Sequence, residues 1–194
     1  MYKTHALDLY KEIISDRGIC AFIGVLFFVV ATALGAYVRI PINASPVPIT
    51  LQTFFVILSG AILGRRLAGW SQLAYLAFGG VGLPIFQSFS FGIPYLFGPT
   101  GGYLIGFVLA AYFIGRMIDI KGSGPKWIIA SFIAGDFIIH ISGILWLSYL
   151  HKMHLSRAVL IGILPFIPGE IIKISFAAVI YSKLSLRAKN IFSA

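Results

Sequence analysis

A glutamate and a lysine, Glu170 and Lys173, lie three residues apart in an otherwise apolar stretch near the C-terminal end of the chain. Residues at this spacing share one face of a helix, so their side chains can meet. A charge in the hydrocarbon region costs about 2.5 to 3.5 kcal/mol on insertion scales, so ionisable residues there generally mark functional sites. The pair therefore predicts a cavity that holds a polar, anionic small molecule.

A purely structural role for the pair is the alternative. Glu170 suits the positive end of a helix dipole, whereas Lys173, in the second turn, opposes that dipole. The two groups would then neutralise each other and only order the helix bundle, since a buried ion pair is weak evidence for stability. The sequence leaves both interpretations open.

The composition is that of a membrane protein. Of the 194 residues, 59% are hydrophobic and 11% are charged, against about 25% charged in soluble domains. The net charge of +9 comes from basic residues in short loops and tails, where they act as topology signals and contact membrane lipid, so we expect no nucleic-acid partner. Cys20 is the only cysteine, which excludes an intrachain disulfide and a cysteine metal cluster. We expect no cofactor and no metal.

Apolar runs predict six transmembrane helices. They cover residues 18–38, 49–64, 67–78, 100–118, 127–150 and 168–182. The second and third are shorter than the ~20 residues that a membrane-spanning helix needs, so we expect them to be tilted or partly buried. The prediction is an all-α membrane protein with a single domain. It divides the chain into a cytoplasmic N-terminal segment (1–17), a six-helix bundle (18–185) and a cytoplasmic tail (186–194).

The distribution of basic residues predicts the orientation. Six spans divide the loops and tails between the two sides of the membrane. Of the 15 lysines and arginines, eleven lie on the side of the two termini, three lie on the other side, and Lys173 lies within the sixth span. Loops rich in lysine and arginine stay inside, so both termini are predicted to be cytoplasmic. The proline-rich loop after span one, the uncharged loop after span three and the start of span six then meet at the outer face.

These outer segments contain further candidates for binding a ligand. The uncharged loop is broken by glycines and prolines, and such backbone is tolerated at membrane depth only where protein or a cavity satisfies it. The polar and aromatic candidates are Gln52, Gln87, Thr100, Tyr103 and Trp146. Thr100 can cap span four, and the following Gly101 and Gly102 would let backbone N–H groups approach a ligand. The alternatives to ligand binding are packing within the bundle or solvation of the loop and, for Trp146, a position in the aromatic belt at the membrane interface.

Span five carries its own ionisable pair. Asp136 and His140 are spaced i,i+4 and can pair within the bundle. A structural pair is the favoured interpretation, and a proton relay or a small intramembrane enzyme is the alternative.

Small residues on span one predict a close helix contact. Ala31 and Gly35 lie on one face, which permits another helix to approach, either within the chain or from a partner protein. We take them as candidates for the partner interface.

Catalytic signatures are missing from the sequence. It has no H-E-x-x-H, no G-x-S-x-G and no phosphate-binding G-x-x-x-x-G-K-[ST] motif. The chain is therefore not expected to be an enzyme or to hydrolyse ATP itself.

Four motifs together resemble the BioY family. They are S-P-V-P-I-T-L-Q-T at 45–53, G-L-P-I-F at 82–86, F-G-P-T-G-G-Y-L-I-G-F at 97–107 and P-F-I-P-G-E at 165–170, followed by Lys173. The resemblance covers roughly residues 18–185. Members of this family are biotin-specific substrate-binding (S) components of energy-coupling-factor (ECF) transporters.

The resemblance implies a six-helix S-component fold that binds biotin at the outer face. It further implies that Glu170 and Lys173 contact the polar groups of biotin, and that a membrane T component and two ATP-binding subunits are partners. The chain departs from the family pattern in two places, with Glu170 where aspartate is usual and His140 where tyrosine is expected. We expect high-affinity biotin uptake across the cell membrane; an S component for another anionic vitamin, an enzyme and an assembly protein are the alternatives.

Overall fold

The structure is a computed structural model that describes residues 17–43 and 45–192, most of which are helical. The helices are α1 (Arg17–Tyr37), α2 (Gln52–Gly80), α3 (Ile93–Leu96), α4 (Gly101–Lys121), α5 (Pro125–Leu150), α6 (Leu155–Gly162) and α7 (Ile167–Phe192). Two short strands, β1 (Arg39–Ile40) and β2 (Ile49–Thr50), pair antiparallel between α1 and α2. A 3-10 turn at Gln87–Phe89 precedes α3.

The predicted all-α membrane architecture is confirmed. α1, α4 and α5 are each long and apolar enough to cross a bilayer, and α6 and α7 together form a fourth such unit that is bent by 56°. A bilayer core of about 30 Å requires roughly 20 apolar residues in a straight helix, and these elements satisfy that requirement. The second and third predicted spans both fall within α2.

α2 folds back on itself at Gly64. The backbone leaves helical geometry there, with a φ of 73° that glycine adopts without strain. Hydrogen bonds then join side chains from its two halves: Gln52 Nε2 donates to Tyr75 Oη (2.8 Å), and Gln72 Nε2 donates to Ser59 Oγ (3.3 Å). The two halves therefore run antiparallel as a hairpin, which accounts for the short second and third spans.

α2 lies at the centre of the bundle. It packs against α1, α4 and α7, and α4 in turn packs against α5. α7 continues to Phe192, so the predicted tail extends the last helix beyond residue 185. Residues 1–16, which make up nearly all of the predicted N-terminal segment, lie outside the described residues. The cytoplasmic placement of both termini stays a prediction.

The partner-interface prediction for Ala31 and Gly35 needs correction. Ala31 is only 6% exposed, and the carbonyl oxygen of Gly35 accepts a hydrogen bond from Leu51 N–H (3.1 Å). Their small side chains allow α1 to approach the start of α2 closely, which is the internal alternative. The exposed face of α1 is instead formed by large apolar residues such as Phe22 and Phe27.

Candidate functional site

A cavity opens at the end of the bundle where the α1–α2 loop (L1, residues 38–51) meets the α2–α4 loop (L3, residues 81–100). Its walls enclose about 480 Å³ of space, the open mouth included. The lining residues are Val47, Pro48, Thr50, Gln52, Thr53, Tyr75, Phe86, Gln87, Tyr95, Thr100, Tyr103, Leu104, Phe107, His140, Phe166 and Glu170. Mostly aromatic and aliphatic walls with a few polar groups are typical of small-molecule sites.

Glu170 is the acidic group in this cavity and is held in a closed triangle of hydrogen bonds. Lys173 Nζ donates to Glu170 Oε1 (2.7 Å) and to Thr53 Oγ1 (2.9 Å). The Thr53 hydroxyl donates its one proton to the Glu170 carboxylate, which leaves its oxygen free to accept from the lysine. All three side chains are buried, so the ion pair is well shielded from solvent.

The bend between α6 and α7 places Glu170 at the cavity. Residues 163–166 form turns rather than helix, and α7 restarts at Ile167. The N–H of Glu170 donates to Phe166 O (2.9 Å), so the carboxylate lies in the first turn of α7. The helix dipole favours a negative charge at that position.

Lys173 lies one turn further into the bundle. It is 8% exposed and is not among the residues that line the cavity. Its ammonium neutralises Glu170 from behind and fixes the carboxylate's orientation. The structure therefore brings Lys173 to the site as a support for Glu170: the two groups form the ion pair of the structural interpretation, Glu170 lines a cavity, and ligand binding by the pair stays a prediction.

Four other predicted residues converge on the cavity: Gln52, Gln87, Thr100 and Tyr103. The amide of Gln52 donates to Tyr75 Oη (2.8 Å), which in turn donates to Ile85 O (3.1 Å) and so fixes L3.

Gln87 has unused hydrogen-bonding capacity. Its Oε1 atom is buried and has no hydrogen-bond partner among the described residues. A buried acceptor without a donor costs about 1–3 kcal/mol, which makes it a group that a bound molecule can satisfy.

Tyr103 and Thr100 contribute apolar and backbone surface at the start of α4. The Tyr103 hydroxyl donates to Gly162 O (2.9 Å), so its hydrogen bond is made within the protein and its ring faces the cavity. Thr100 occupies the N-cap position of α4 without a side-chain capping bond. Both residues line the wall.

Trp146 lies outside the cavity lining. Its Nε1–H donates to Gly98 O (2.9 Å), which ties L3 to α5. The neighbouring glycines have a packing role as well: a Cβ atom on Gly102 would lie 2.2 Å from Trp146 Cβ, and one on Gly101 would lie 1.9 Å from Leu96 O. The glycines thus permit α4 to pack against α5 and α3, and the Gly101 N–H already donates to Gly98 O (3.0 Å).

Hydrogen bonds and a ring contact join L3 to the end of α1 and the start of L1. Tyr37 Oη donates to Pro84 O (2.7 Å), and Arg39 donates to Ser88 Oγ. The rings of Tyr37 and Phe89 lie 4.5 Å apart. Ser88 and Phe89 both have φ near +60°, a left-handed conformation that is uncommon for such residues and occurs where surrounding contacts enforce it. The two loops are therefore packed against each other at this end of the bundle.

His140 is the cavity residue whose position the sequence indicated least clearly. The sequence predicts a pair with Asp136 at a position where the family pattern has tyrosine, and that pair is present, with His140 Nδ1 3.4 Å from Asp136 Oδ2. The structure adds that His140 lines the cavity beside Glu170. The sequence feature that could have indicated this position is an ionisable residue within a membrane span, because such residues generally mark functional sites.

Asp136, His140 and Glu170 each offer a ligand atom within 4.8 Å of the others. Glu170 is, however, already neutralised by Lys173 and bonded by Thr53. The arrangement is suited to hydrogen-bonding a polar organic group, for which acceptors and donors are both present.

Comparison with known proteins identifies the family. Residues 11–190 match the family model described as the BioY family. The biotin transporter BioY of Thermotoga maritima is 40% identical over 158 residues, covering 81% of this chain and 90% of the relative. The probable biotin transporter BioY of Pyrococcus horikoshii is 39% identical and covers 82% and 93%.

A solved structure has the same fold. The crystal structure of the S-component for biotin from an ECF-type ABC transporter superposes with a TM-score of 0.82 at 26% sequence identity. The match covers 87% of this chain and 92% of that one. The protein is a multi-pass membrane protein with the S-component fold, and it belongs to the BioY family.

Proposed function

We propose that the protein captures biotin at the outer face of the cell membrane as the substrate-binding subunit of a biotin uptake system. The observation that carries the proposal is a carboxylate, Glu170, oriented by Thr53 and Lys173 at the wall of an apolar cavity in a member of the BioY family. The named relatives are biotin transporters, so the protein is a transport component rather than an enzyme.

The chemistry of biotin suits this cavity. Biotin has a flat ureido group with two N–H donors and one carbonyl acceptor, an apolar thioether ring and a carboxylate tail. Glu170 Oε2 accepts only from Thr53 among the described residues, so it retains capacity for a ligand N–H. Phe86, Tyr95 and Phe107 provide apolar surface for the ring.

Lys173 acts in this proposal chiefly through Glu170. Two of its three N–H donors are used by Glu170 and Thr53. An unpaired carboxylate at this depth would take up a proton and lose its negative charge. The lysine therefore keeps Glu170 ionised and correctly placed to accept from the ureido group.

L1 and L3 form the proposed gate. Tyr37, at the end of α1, and Arg39 of L1 hydrogen-bond to L3, and these contacts must separate for a ligand of biotin's size to enter. The distribution of lysine and arginine supports placing this mouth outside the cell and both termini in the cytoplasm.

Energy for uptake is proposed to come from other subunits. The sequence lacks a phosphate-binding loop. The matched S component is part of an ECF-type ABC transporter. On this basis we propose a membrane T component and two ATP-binding subunits as partners.

Binding of labelled biotin to the detergent-purified protein tests the proposal, with other anionic vitamins as unlabelled competitors. Unlabelled biotin should compete and the other vitamins should not. Glu170→Gln, which keeps the size of the side chain but removes its charge, should weaken biotin binding about 10- to 100-fold, because a hydrogen bond to a charged group contributes about 1.5–3 kcal/mol. Absence of biotin binding by the unmodified protein would refute the proposed specificity.

A further inference from the structure

The imidazole of His140 is held in one orientation through a single nitrogen. Its Nδ1 lies 3.0 Å from the backbone carbonyl oxygen of Asp136 and 3.4 Å from Asp136 Oδ2. A carbonyl oxygen can only accept, so Nδ1 must carry the proton. In a neutral imidazole the other nitrogen, Nε2, is then an unprotonated acceptor.

Nε2 is open to the cavity. His140 is only 4% exposed overall, and it lines the cavity wall. Among the described residues, the buried side-chain atoms that lack a partner are Gln87 Oε1 and Asp136 Oδ1, so Nε2 is not sealed inside the protein. Its described hydrogen bonds run through Nδ1 alone.

Within the described part of the chain, the groups that face His140 donate no hydrogen bond to Nε2. The ring of Tyr103 from α4 is edge-on at 6.0 Å, and its hydroxyl already donates to Gly162 O. Phe166 packs at 5.7 Å. From α7 the nearby ionisable groups are Glu170, an acceptor, and Lys173, whose ammonium is directed at Glu170 and Thr53.

We propose that His140 is a specificity-determining residue that accepts a hydrogen bond at Nε2 from an N–H of the bound ligand. The inference rests on the proposed function and deepens it, since the ureido group of biotin offers two such donors. Glu170 and His140 then form two acceptors on neighbouring walls of the cavity. The site selects a ligand whose polar end donates at two positions.

A consequence is that a proton competes with the ligand. Protonation of His140 at Nε2 converts the acceptor into a donor, which can no longer receive the ligand's N–H. Imidazole ordinarily titrates between pH 5 and 8, so the competition falls in an accessible range. Affinity for biotin should therefore decrease as the pH falls.

Equilibrium binding of labelled biotin to the purified protein between pH 5.5 and 7.5 tests the proposal. The unmodified protein should bind severalfold more weakly at pH 5.5 than at pH 7.5, because protonation of His140 Nε2 removes the acceptor while the carboxylate of biotin stays ionised. His140→Gln keeps an acceptor without titrating in this range, so its affinity should change less than twofold. Any remaining pH dependence of biotin affinity in His140→Gln is caused by the titration of other groups, such as Glu170.

His140→Phe is the matched control for packing. It preserves ring contacts with Tyr103 and Phe166 but has no nitrogen, so it should bind biotin weakly at every pH. A biotin analogue methylated at one or the other ureido nitrogen gives a second measurement. Methylation of the nitrogen that His140 contacts should weaken binding to the unmodified protein much more than binding to His140→Phe.

Each outcome separates the two proposals. If the unmodified protein binds biotin but His140→Gln has the same pH profile, or His140→Phe binds as tightly, the role of His140 is refuted and the proposed function stands. If the unmodified protein binds no biotin at any pH, the proposed function fails and this inference fails with it.

Discussion

Two clusters of buried polar side chains lie within the bundle, and they differ in how completely their hydrogen bonds are satisfied. The first joins Thr32 of α1 to Ser59, Ser71 and Gln72 of the α2 hairpin. The second surrounds the cavity. Both are costly to place in an apolar environment, so each requires an explanation.

The first cluster is satisfied internally. Gln72 is fully buried, and its amide nitrogen lies within 3.4 Å of Thr32, Ser59 and Ser71 hydroxyls. Ser59 and Ser71 donate back to the carbonyl oxygens one turn earlier in their helices. Among the described residues, no buried side-chain nitrogen or oxygen of this group lacks a hydrogen-bond partner. Such an arrangement fixes the packing of α1 on the hairpin.

The second cluster leaves acceptors unused. Among the described residues, Gln87 Oε1 and Asp136 Oδ1 are buried without hydrogen-bond partners, and His140 Nε2 opens to the cavity. Leaving a buried acceptor unpaired costs about 1–3 kcal/mol, and in the described part of the chain this cost falls on Gln87, which lines the cavity, and on Asp136, which lies beside the cavity residue His140. The comparison teaches that unsatisfied polar atoms, rather than buried polar atoms as such, distinguish a binding site from a structural network.

Lys173→Met tests the cavity cluster most severely. Removing one member of a buried ion pair leaves the other uncompensated, which costs about 3–5 kcal/mol. We expect biotin affinity to fall more than 100-fold and thermal stability to decrease, as measured by labelled-biotin binding and thermal unfolding in detergent.

Lys183→Met is the matched control, because Lys183 lies on the same helix but is exposed. Lys183→Met should change neither the affinity for biotin nor the thermal stability. The double variant Glu170→Gln/Lys173→Met should regain stability without regaining affinity, since it removes both charges together. Retention of affinity within threefold in Lys173→Met would contradict the role given to the pair.

Gln72→Met tests the internal cluster. Hydrogen bonds between membrane helices contribute about 0.6 kcal/mol each on average, so loss of the amide should lower the free energy of unfolding by about 1–2 kcal/mol. Affinity for biotin should stay within twofold, because Gln72 does not line the cavity. A tenfold loss of affinity at unchanged stability would break the distinction between the clusters.

Much of the architecture was predictable because it depends on local physical requirements. Apolar length sets the long helices α1, α4 and α5, and the break between the second and third predicted spans corresponds to the turn inside α2. Glu170 and Lys173 were found for the same reason, since a charge inside a span requires a partner or a ligand.

The misplaced residues depended on packing, which spacing alone does not determine. Small residues at Ala31 and Gly35 permit a close contact, but only the fold shows that α2 makes it. Trp146 and the Gly101–Gly102 pair lie near the cavity in sequence, yet they pack against each other and against L3. The sequence predicted that His140 pairs with Asp136. That its second nitrogen, Nε2, opens to the cavity depends on how the helices pack, which spacing does not determine.

Gln87→Met gives the smallest expected effect and the sharpest contrast with Gln72→Met, because the same substitution should have the opposite outcome. Gln87 Oε1 has no partner among the described residues, so replacing it by an apolar side chain of similar length removes an unsatisfied acceptor, and thermal stability should be unchanged or slightly higher. Biotin affinity should fall about 2- to 10-fold, the net contribution of one hydrogen bond of about 0.5–1.5 kcal/mol. Parallel measurement of unfolding temperature and biotin dissociation constant for the two variants tests this. Should Gln87→Met destabilise the protein while binding biotin normally, Gln87 belongs with the structural network, and unsatisfied atoms do not mark the site.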